Sequence, residues 1–450
     1  MLLLLYRGEL GICWNILKES SLFKNEIKAI FIIIFLSSCS LFEEVEVPLD
    51  GERENVFEID EKKLVKSFAK VYLPKPELVE DWNQNNQNKS NHLFHFSSNQ
   101  SIEKKWEINI GEGEGGIGPY IISPIVYKNI IYTVDNEGIV QARDSNKGSL
   151  IWKYKLEEEF KEDISFIGGL SASNDLLLIS TGLGNIYALD YKNGKTKWKK
   201  NFLSQISAPP VIANNKIFVT TDDNQLLAIE LTSGDNIWDH SGNIENLSII
   251  GGVNPAIYND IIYVTYSTGE IFALNENNGA IQWYENIGSD FSYNDGTITD
   301  IQSPPVFFED HLYVSSFSGK FVSFKAIDGE RLWELNLSTI NPITISGDYI
   351  YLLDTNNKLY CITKNDGGIV WVVQLKKRNK DDDDISWVGP LLTSHKLIVA
   401  SSEGTIISIS PYNGKVISIF KEKNSFTINP IHAGLNIYFV SKEGNLINYK

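Results

Sequence analysis

One unit recurs along most of this chain. It is clearest from Pro255 to Trp283, PAIYNDIIYVTYSTGEIFALNENNGAIQW. Two apolar alternating runs, IIYVTY and EIFAL, are rich in β-branched and aromatic residues, which is strand chemistry. Gly269 lies between them, where a hairpin turn needs positive φ. Asn275 is placed to hydrogen-bond the backbone of the next turn, and Gly279 closes that turn. Ala273 is small, as expected where a second backbone approaches closely. Trp283 opens a further strand and can cover a large area of a neighbouring sheet. One such sheet cannot bury both of its faces. Several can, if they pack face to face around an axis.

The unit repeats with a period in the 40s, the signature of a repeat architecture. Pro124 to Trp152 carries Gly138, Ala142, Asp144 and Gly148, and the unit ending at Trp198 carries Gly184, Ala188, Asp190 and Gly194. Pro209 to Trp238 has Asn224 in place of the first Gly. After the opening copy come Pro304 to Trp333 and Pro342 to Trp371, the latter with Cys361 at the small position. The seventh unit starts at Pro390 and has Ser418 where Trp is expected. The eighth starts at Pro430 and stops at Lys450, one strand short. Upstream, Trp106 stands in a strand, KKWEINI, with no unit of its own. That strand can complete the eighth sheet. The expectation is an all-β, eight-bladed β-propeller over residues 101–450, its last blade closed by an N-terminal strand. An open solenoid would need capping units at both ends instead.

Residues 1–38 read as a targeting segment. Lys24 and Lys28 precede the short apolar run Ala29 to Leu36, which suits a signal-peptide core and is too short to span a bilayer as a helix. It ends Leu36-Ser37-Ser38-Cys39, which resembles the bacterial lipoprotein cleavage box, with Cys39 as the acylated residue. Several acyl chains on one Cys anchor stably. By the same resemblance, Ser40 at the next position implies outer-membrane sorting. Residues 39–100, acidic at Glu43, Glu44 and Glu46 and Asn-rich from Asn83 to Asn91, show no sustained period and read as a flexible, extended tether. His92 and His95 have a spacing that can ligate metal, but no third ligand is near, so they are expected at a surface or rim.

A net charge of −17 argues against a nucleic-acid partner, which would require a basic face. Cys13, Cys39 and Cys361 make no CxxC and no adjacent pair. The Gly-rich run Gly111 to Gly118 lacks the Lys-Ser/Thr ending of a phosphate loop. The run Lys376 to Asp384 joins basic to acidic residues and reads as a solvated loop. No catalytic constellation, metal site or cofactor site stands out.

The Ala-x-Asp…Gly…Trp pattern, as in Ala142, Asp144, Gly148 and Trp152, resembles the repeat of the pyrroloquinoline-quinone (PQQ) propeller superfamily. Joined to a lipoprotein signal, it resembles the BamB family of outer-membrane assembly lipoproteins. The resemblance covers roughly residues 70–450. It implies a non-enzymatic, lipid-anchored scaffold on the periplasmic face of the outer membrane. The implied partners are the POTRA domains of a BamA-like β-barrel assembly protein and nascent outer-membrane proteins. In that family a Leu-Ser-Leu-Arg-Gly-type loop contacts the POTRA region. Here Leu247, Ser248, Ile249, Ile250 and Gly251 hold that place, with Ile250 standing for the Arg. Of a second family feature, an acidic pair, Asp300 is kept and Gln302 replaces its mate. Independently, LSIIGG is an apolar loop where inter-blade loops are usually polar, which marks a partner surface. The alternative reading places Leu247 to Ile250 in a buried strand. Two functional alternatives also stand: a PQQ-dependent quinoprotein dehydrogenase, whose relatives carry an adjacent Cys pair that is missing here, and a lipid-anchored propeller with another periplasmic partner.

Overall fold

The computed structural model describes residues 70–113, 121–158, 167–206, 208–243, 252–288, 301–317, 319–378 and 384–450. These form thirty-two strands, β1 to β32, in eight four-stranded antiparallel sheets. Blades 1 to 7 each use four consecutive strands. They span residues 125–155, 167–201, 211–241, 256–286, 306–335, 344–374 and 387–421. Blade 8 takes its first three strands from residues 431–449 and its fourth from β1 (Lys104–Asn109), with Trp106 opposite Asn448 and Ile108 opposite Leu446. The expected ring closure is therefore present.

Blade 4 shows why the repeat has its composition. Its strands are β14 (Ala256–Tyr258), β15 (Ile261–Thr265), β16 (Glu270–Asn275) and β17 (Ile281–Asn286). Gly269 has φ of 78° in the hairpin, and the Asn275 side chain accepts from the Asn277 N–H at 3.0 Å, as the turn chemistry predicts. Tyr263, Ala273 and Trp283 form one row across the sheet. Ala273 is small for a reason other than the expected one. It leaves room between two large rings of its own sheet, whose centroids are 6.0 Å apart, rather than for another backbone. The same row recurs as Tyr132–Ala142–Trp152, Phe218–Ala228–Trp238, Tyr313–Ser323–Trp333 and Tyr351–Cys361–Trp371.

Each Trp then reaches the next blade. Its indole N–H donates to a carbonyl there, as Trp152 does to Tyr191, Trp283 to Ala326 and Trp371 to Pro411. Tyr132, Tyr263 and Tyr351 donate their hydroxyls to those same three carbonyls. The hydrophobic core is consequently a set of seams between neighbouring blades. One seam joins Tyr132 and Val140 of blade 1 to Leu177 and Tyr187 of blade 2, and another joins Ile271 and Ala273 of blade 4 to Val322 and Phe324 of blade 5.

The tether expected over residues 39–100 requires correction in its second half. Residues 70–100 form a strap around the axis at the end where the first two strands of each blade turn. The first strands are mostly three residues long and present unpaired backbone groups inward, which need partners when buried. The strap supplies them blade by blade. The Val79 carbonyl accepts from Gly434 of blade 8. Trp82 exchanges two backbone bonds of 2.8 Å with Val126 of blade 1. The carbonyls of Asn83, Lys89 and Ser90 accept from Ala172, Ile257 and Phe307 of blades 2, 4 and 5, and the Gln84 side chain accepts from Ile212 of blade 3. Leu93 bridges Thr344 of blade 6, and Phe96 exchanges bonds with Leu392 and Ser394 of blade 7. The strap closes on itself: Glu77 N–H donates to the His95 carbonyl and Ser97 N–H to the Glu77 carbonyl, both at 2.7 Å. Part of the polar composition that suggests a linker is here a set of amides bonded to blades: Asn83 to Ala172, Gln84 to Ile212, Asn85 to Asn254, and Asn91 to Pro255 and Pro305.

Candidate functional site

Inside the strap, elements from all eight blades surround an axial cavity of about 520 Å³. Ile121, Leu170, Asn254, Gln302, Pro342 and Trp387 are among its walls, and Trp82, Asn85, Asn86 and Leu93 belong to the strap. No charged side chain lines it among the described residues. That is notable in a chain of net charge −17. The described walls of the cavity therefore offer neutral amides, hydroxyl groups and apolar surface.

The strap is fixed by packing as well as by hydrogen bonds. Phe96 is fully buried, 5.6 Å from Trp82 and stacked 4.8 Å from His432, centroid to centroid. The Asn91 amide, also fully buried, donates to the Pro255 and Pro305 carbonyls and accepts from Asn254. Positive φ at Asn86, Gln87 and Asn91 bends the segment around the ring, and Asn tolerates that region better than most residues.

His95 is buried rather than at a surface or rim, and His92 is half-buried. Burial is the main influence on His92 and lowers its pKa to about 4, against weaker opposing effects of the Ile345 carbonyl and Glu309. Its Nε2 lies 3.0 Å from the Ile345 oxygen. His95 places Nδ1 2.9 Å from the Pro74 carbonyl and Nε2 2.7 Å from that of Ser394, tying the start of the strap to blade 7. Burial lowers its pKa, while the two carbonyls oppose that shift because they favour a ring with both nitrogens protonated. Cys361 is a free, buried thiol in the blade 6 row, and burial pushes its pKa up. Among the described residues, no three His, Cys, Asp or Glu side chains gather as a metal site.

The residues assigned to partner binding, Leu247, Ser248, Ile249, Ile250, Gly251 and Asp300, lie outside the described residues, as does Cys39. The chain on either side of them is described. Gly252, Val253 and Asn254 lead into blade 4, and Gln302 leads into blade 5; all four line the axial cavity. Thr220 donates to the Val253 carbonyl at 2.7 Å, and Ser303 donates to the Asn341 carbonyl at 2.9 Å. Ile301, beside Asp300, is buried in the seam between blades 4 and 5. The described residues that follow the two expected contact segments thus lead into the first strands of adjacent blades.

Sequence reasoning missed the strap and the cavity it borders. The available signal was Trp82, Phe94 and Phe96 flanking an amide-rich run, large apolar anchors with no place in a solvated linker.

Circular closure, the Tyr–small–Trp row and the inter-blade indole bonds define an eight-bladed propeller of the PQQ-like class. The family model described as outer membrane protein assembly factor BamB matches residues 123–373. The chain belongs to this family. BamB of Shewanella oneidensis is 23% identical over 355 residues, covering 76% of this chain and 88% of that protein. An uncharacterised protein of Rickettsia prowazekii is 27% identical over 265 residues, 58% of this chain and 64% of that protein. Among solved structures, BamB from Moraxella catarrhalis superposes with a TM-score of 0.67 at 20% identity, over 78% of this chain and all of that one. A quinohemoprotein alcohol dehydrogenase from Comamonas testosteroni superposes at 0.64 with 12% identity, over 82% of this chain and 80% of that one, and so shares the fold.

Proposed function

We propose that this chain is a non-enzymatic scaffold in outer-membrane protein assembly. It is anchored through lipid on Cys39 to the inner leaflet of the outer membrane and faces the periplasm. Its partner is the POTRA region of a BamA-like protein, contacted through Leu247, Ser248, Ile249, Ile250, Gly251 and Asp300. The observation that carries the reading is family membership, supported by relatives named as assembly factors across most of their length. Gly252 and Ile301, the described residues that follow the two segments in the chain, lead into adjacent blades, which supports reading the segments as one surface. Ile250 in place of an Arg removes any bidentate ion pair there, so the contact rests on apolar burial and backbone groups. Photo-crosslinkers at Leu247 and Ile249 in the membrane-anchored protein should trap a BamA-like protein. Capture of unrelated proteins alone would overturn the contact, and normal outer-membrane protein levels in a deletion strain would overturn the assembly role.

A quinoprotein dehydrogenase is the second reading, favoured by the shared fold. The uncharged cavity lining and the absence of adjacent cysteines weigh against it. Titration with PQQ and Ca²⁺, followed by dye reduction, distinguishes the two.

A further inference from the structure

The fourth strand of each blade has one unpaired backbone edge. Edge strands invite pairing with other chains, and charged side chains are a common protection. Six of the eight outer strands here carry charge before their last residue, for example Lys153 in β5 (Leu150–Lys155), and Lys197, Lys199 and Lys200 in β9 (Thr196–Asn201). The exceptions are adjacent. In blade 6, β25 (Ile369–Gln374) has no charged residue and exposes Val372. In blade 7, β29 (Val416–Lys421) is uncharged until its final Lys and leaves Val416, Ile417, Ile419 and Phe420 between 38% and 63% exposed.

Blade 7 also lacks the Trp that clamps the other outer strands. Its row reads Ile398, Ser408, Ser418. In a series of lysines bracketing the bare edge, Lys415, Lys421 and Lys423 have no carboxylate within ion-pair distance among the described residues. The nearby acids are engaged: Glu403 pairs with Lys376 and Glu422 with Lys104. An otherwise acidic protein thus presents one apolar strand edge with a basic margin.

We propose that β29 is a docking edge for an extended polypeptide segment of alternating apolar side chains with an acidic flank, which adds to blade 7 as a fifth strand. Backbone bonds supply the affinity, the apolar side chains cover Ile417 and Ile419, and the flank meets the lysines. As a client contact this rests on the assembly reading; the edge itself is tested directly. The probe is a fluorescein-labelled peptide of roughly twelve residues, the length of a long strand plus flanks, with alternating Val and Thr and with Glu at both ends. Its anisotropy is titrated with the mature protein.

Binding should weaken about tenfold or more in the Ile417→Lys/Ile419→Lys double variant, and in an alternately N-methylated peptide that cannot form the ladder. A Lys-flanked peptide should bind several-fold more weakly, a difference that shrinks at high salt. Ile417→Thr/Ile419→Thr keeps strand propensity and should weaken binding to a lesser degree. Tyr284→Lys, on the exposed edge of blade 4, should leave binding unchanged. Equal binding by wild type and the double variant, no binding at all, or β29-dependent dimers in sedimentation would each overturn the proposal. A deletion strain with normal outer-membrane proteins would overturn the assembly reading and leave the peptide result standing.

Discussion

Trp106, on the N-terminal strand β1, lies under Gly148 of blade 1. A Cβ added to Gly148 would meet the indole at 3.2 Å, and the indole N–H donates to the Asn146 carbonyl at 2.7 Å. The strand that completes blade 8 therefore also supplies its clamp onto blade 1. The same pairing links Trp152 to Gly194, Trp198 to Gly234, Trp238 to Gly279, Trp283 to Gly329, Trp333 to Gly367 and Trp371 to Gly414. In every pair the Gly sits in the turn between the third and fourth strands. Blade 8 has no such turn, because its third strand comes from the C-terminal stretch and its fourth is β1. Ser418 in blade 7 thus has no glycine turn to receive a Trp. That junction keeps the apolar seam, Ile398, Ala400 and Ile406 against Ile437, Phe439 and Leu446, and in place of the indole bond it has polar contacts: Lys104 to Glu422, Asn424 to Glu107 and the Tyr449 hydroxyl to Glu422.

The clamp should be intolerant of a methyl group. Gly279 has φ of 71°, and a Cβ there would come within 2.8 Å of Trp238. Gly279→Ala should cost about 1–3 kcal/mol from backbone strain and overpacking together. Gly319→Ala, with φ of 105° and no neighbour within 4 Å, carries strain alone and should cost less. Urea midpoints at unchanged m-value measure both.

Restoring the consensus at blade 7 should gain nothing. Ser418→Trp supplies an indole with no turn glycine above it. Stability is expected to change by no more than about 0.5 kcal/mol, as at an ordinary surface site. A rise in melting temperature of several degrees would contradict the account of the missing Trp.

The strap should behave as part of the folded core. Phe96→Ala removes a fully buried ring and should cost about 3–5 kcal/mol. Asn91→Ala leaves the Pro255 and Pro305 carbonyls without their amide donor, roughly 1–3 kcal/mol for each group orphaned. Hydrogen exchange should show protection at Trp82 and Phe96 comparable to the blades. Rapid exchange at those amides would return the segment to the status of a linker.

Acid should loosen the strap. Burial, the dominant influence, lowers the His92 pKa to about 4 and that of His432 to about 3, both below the ordinary 6.5. Between those values and 6.5 the unfolded chain binds protons that the native state does not. The stabilisation from keeping the rings neutral is complete above about pH 6.5 and is lost as pH falls toward 4, at roughly 1.4 kcal/mol per pH unit for each ring. His432→Phe, which keeps the stack on Phe96, should flatten that slope in denaturant titrations between pH 6.5 and 4. An unchanged slope would show that His432 takes no part in it.

What the sequence determined by itself was the repeat, and the repeat carries its own physics. Alternating strands, turn glycines and a Trp per unit fix the sheet, and the strand around Trp106, outside any unit, is the piece that closes the ring. These signals are local or periodic, so one chain displays them directly. Only the tertiary structure decided the rest. Ala273 is small because Tyr263 and Trp283 meet across it, a pairing visible only once the strands are in register. Ser418 departs from the pattern because blade 8 is made from two distant pieces of chain. Residues 70–100 follow no period because successive residues answer to different blades; Asn83, Lys89, Ser90 and Phe96 each satisfy a backbone group far away in sequence. A segment whose partners are all non-local has the composition of a linker and, once the ring is closed, the burial of a core.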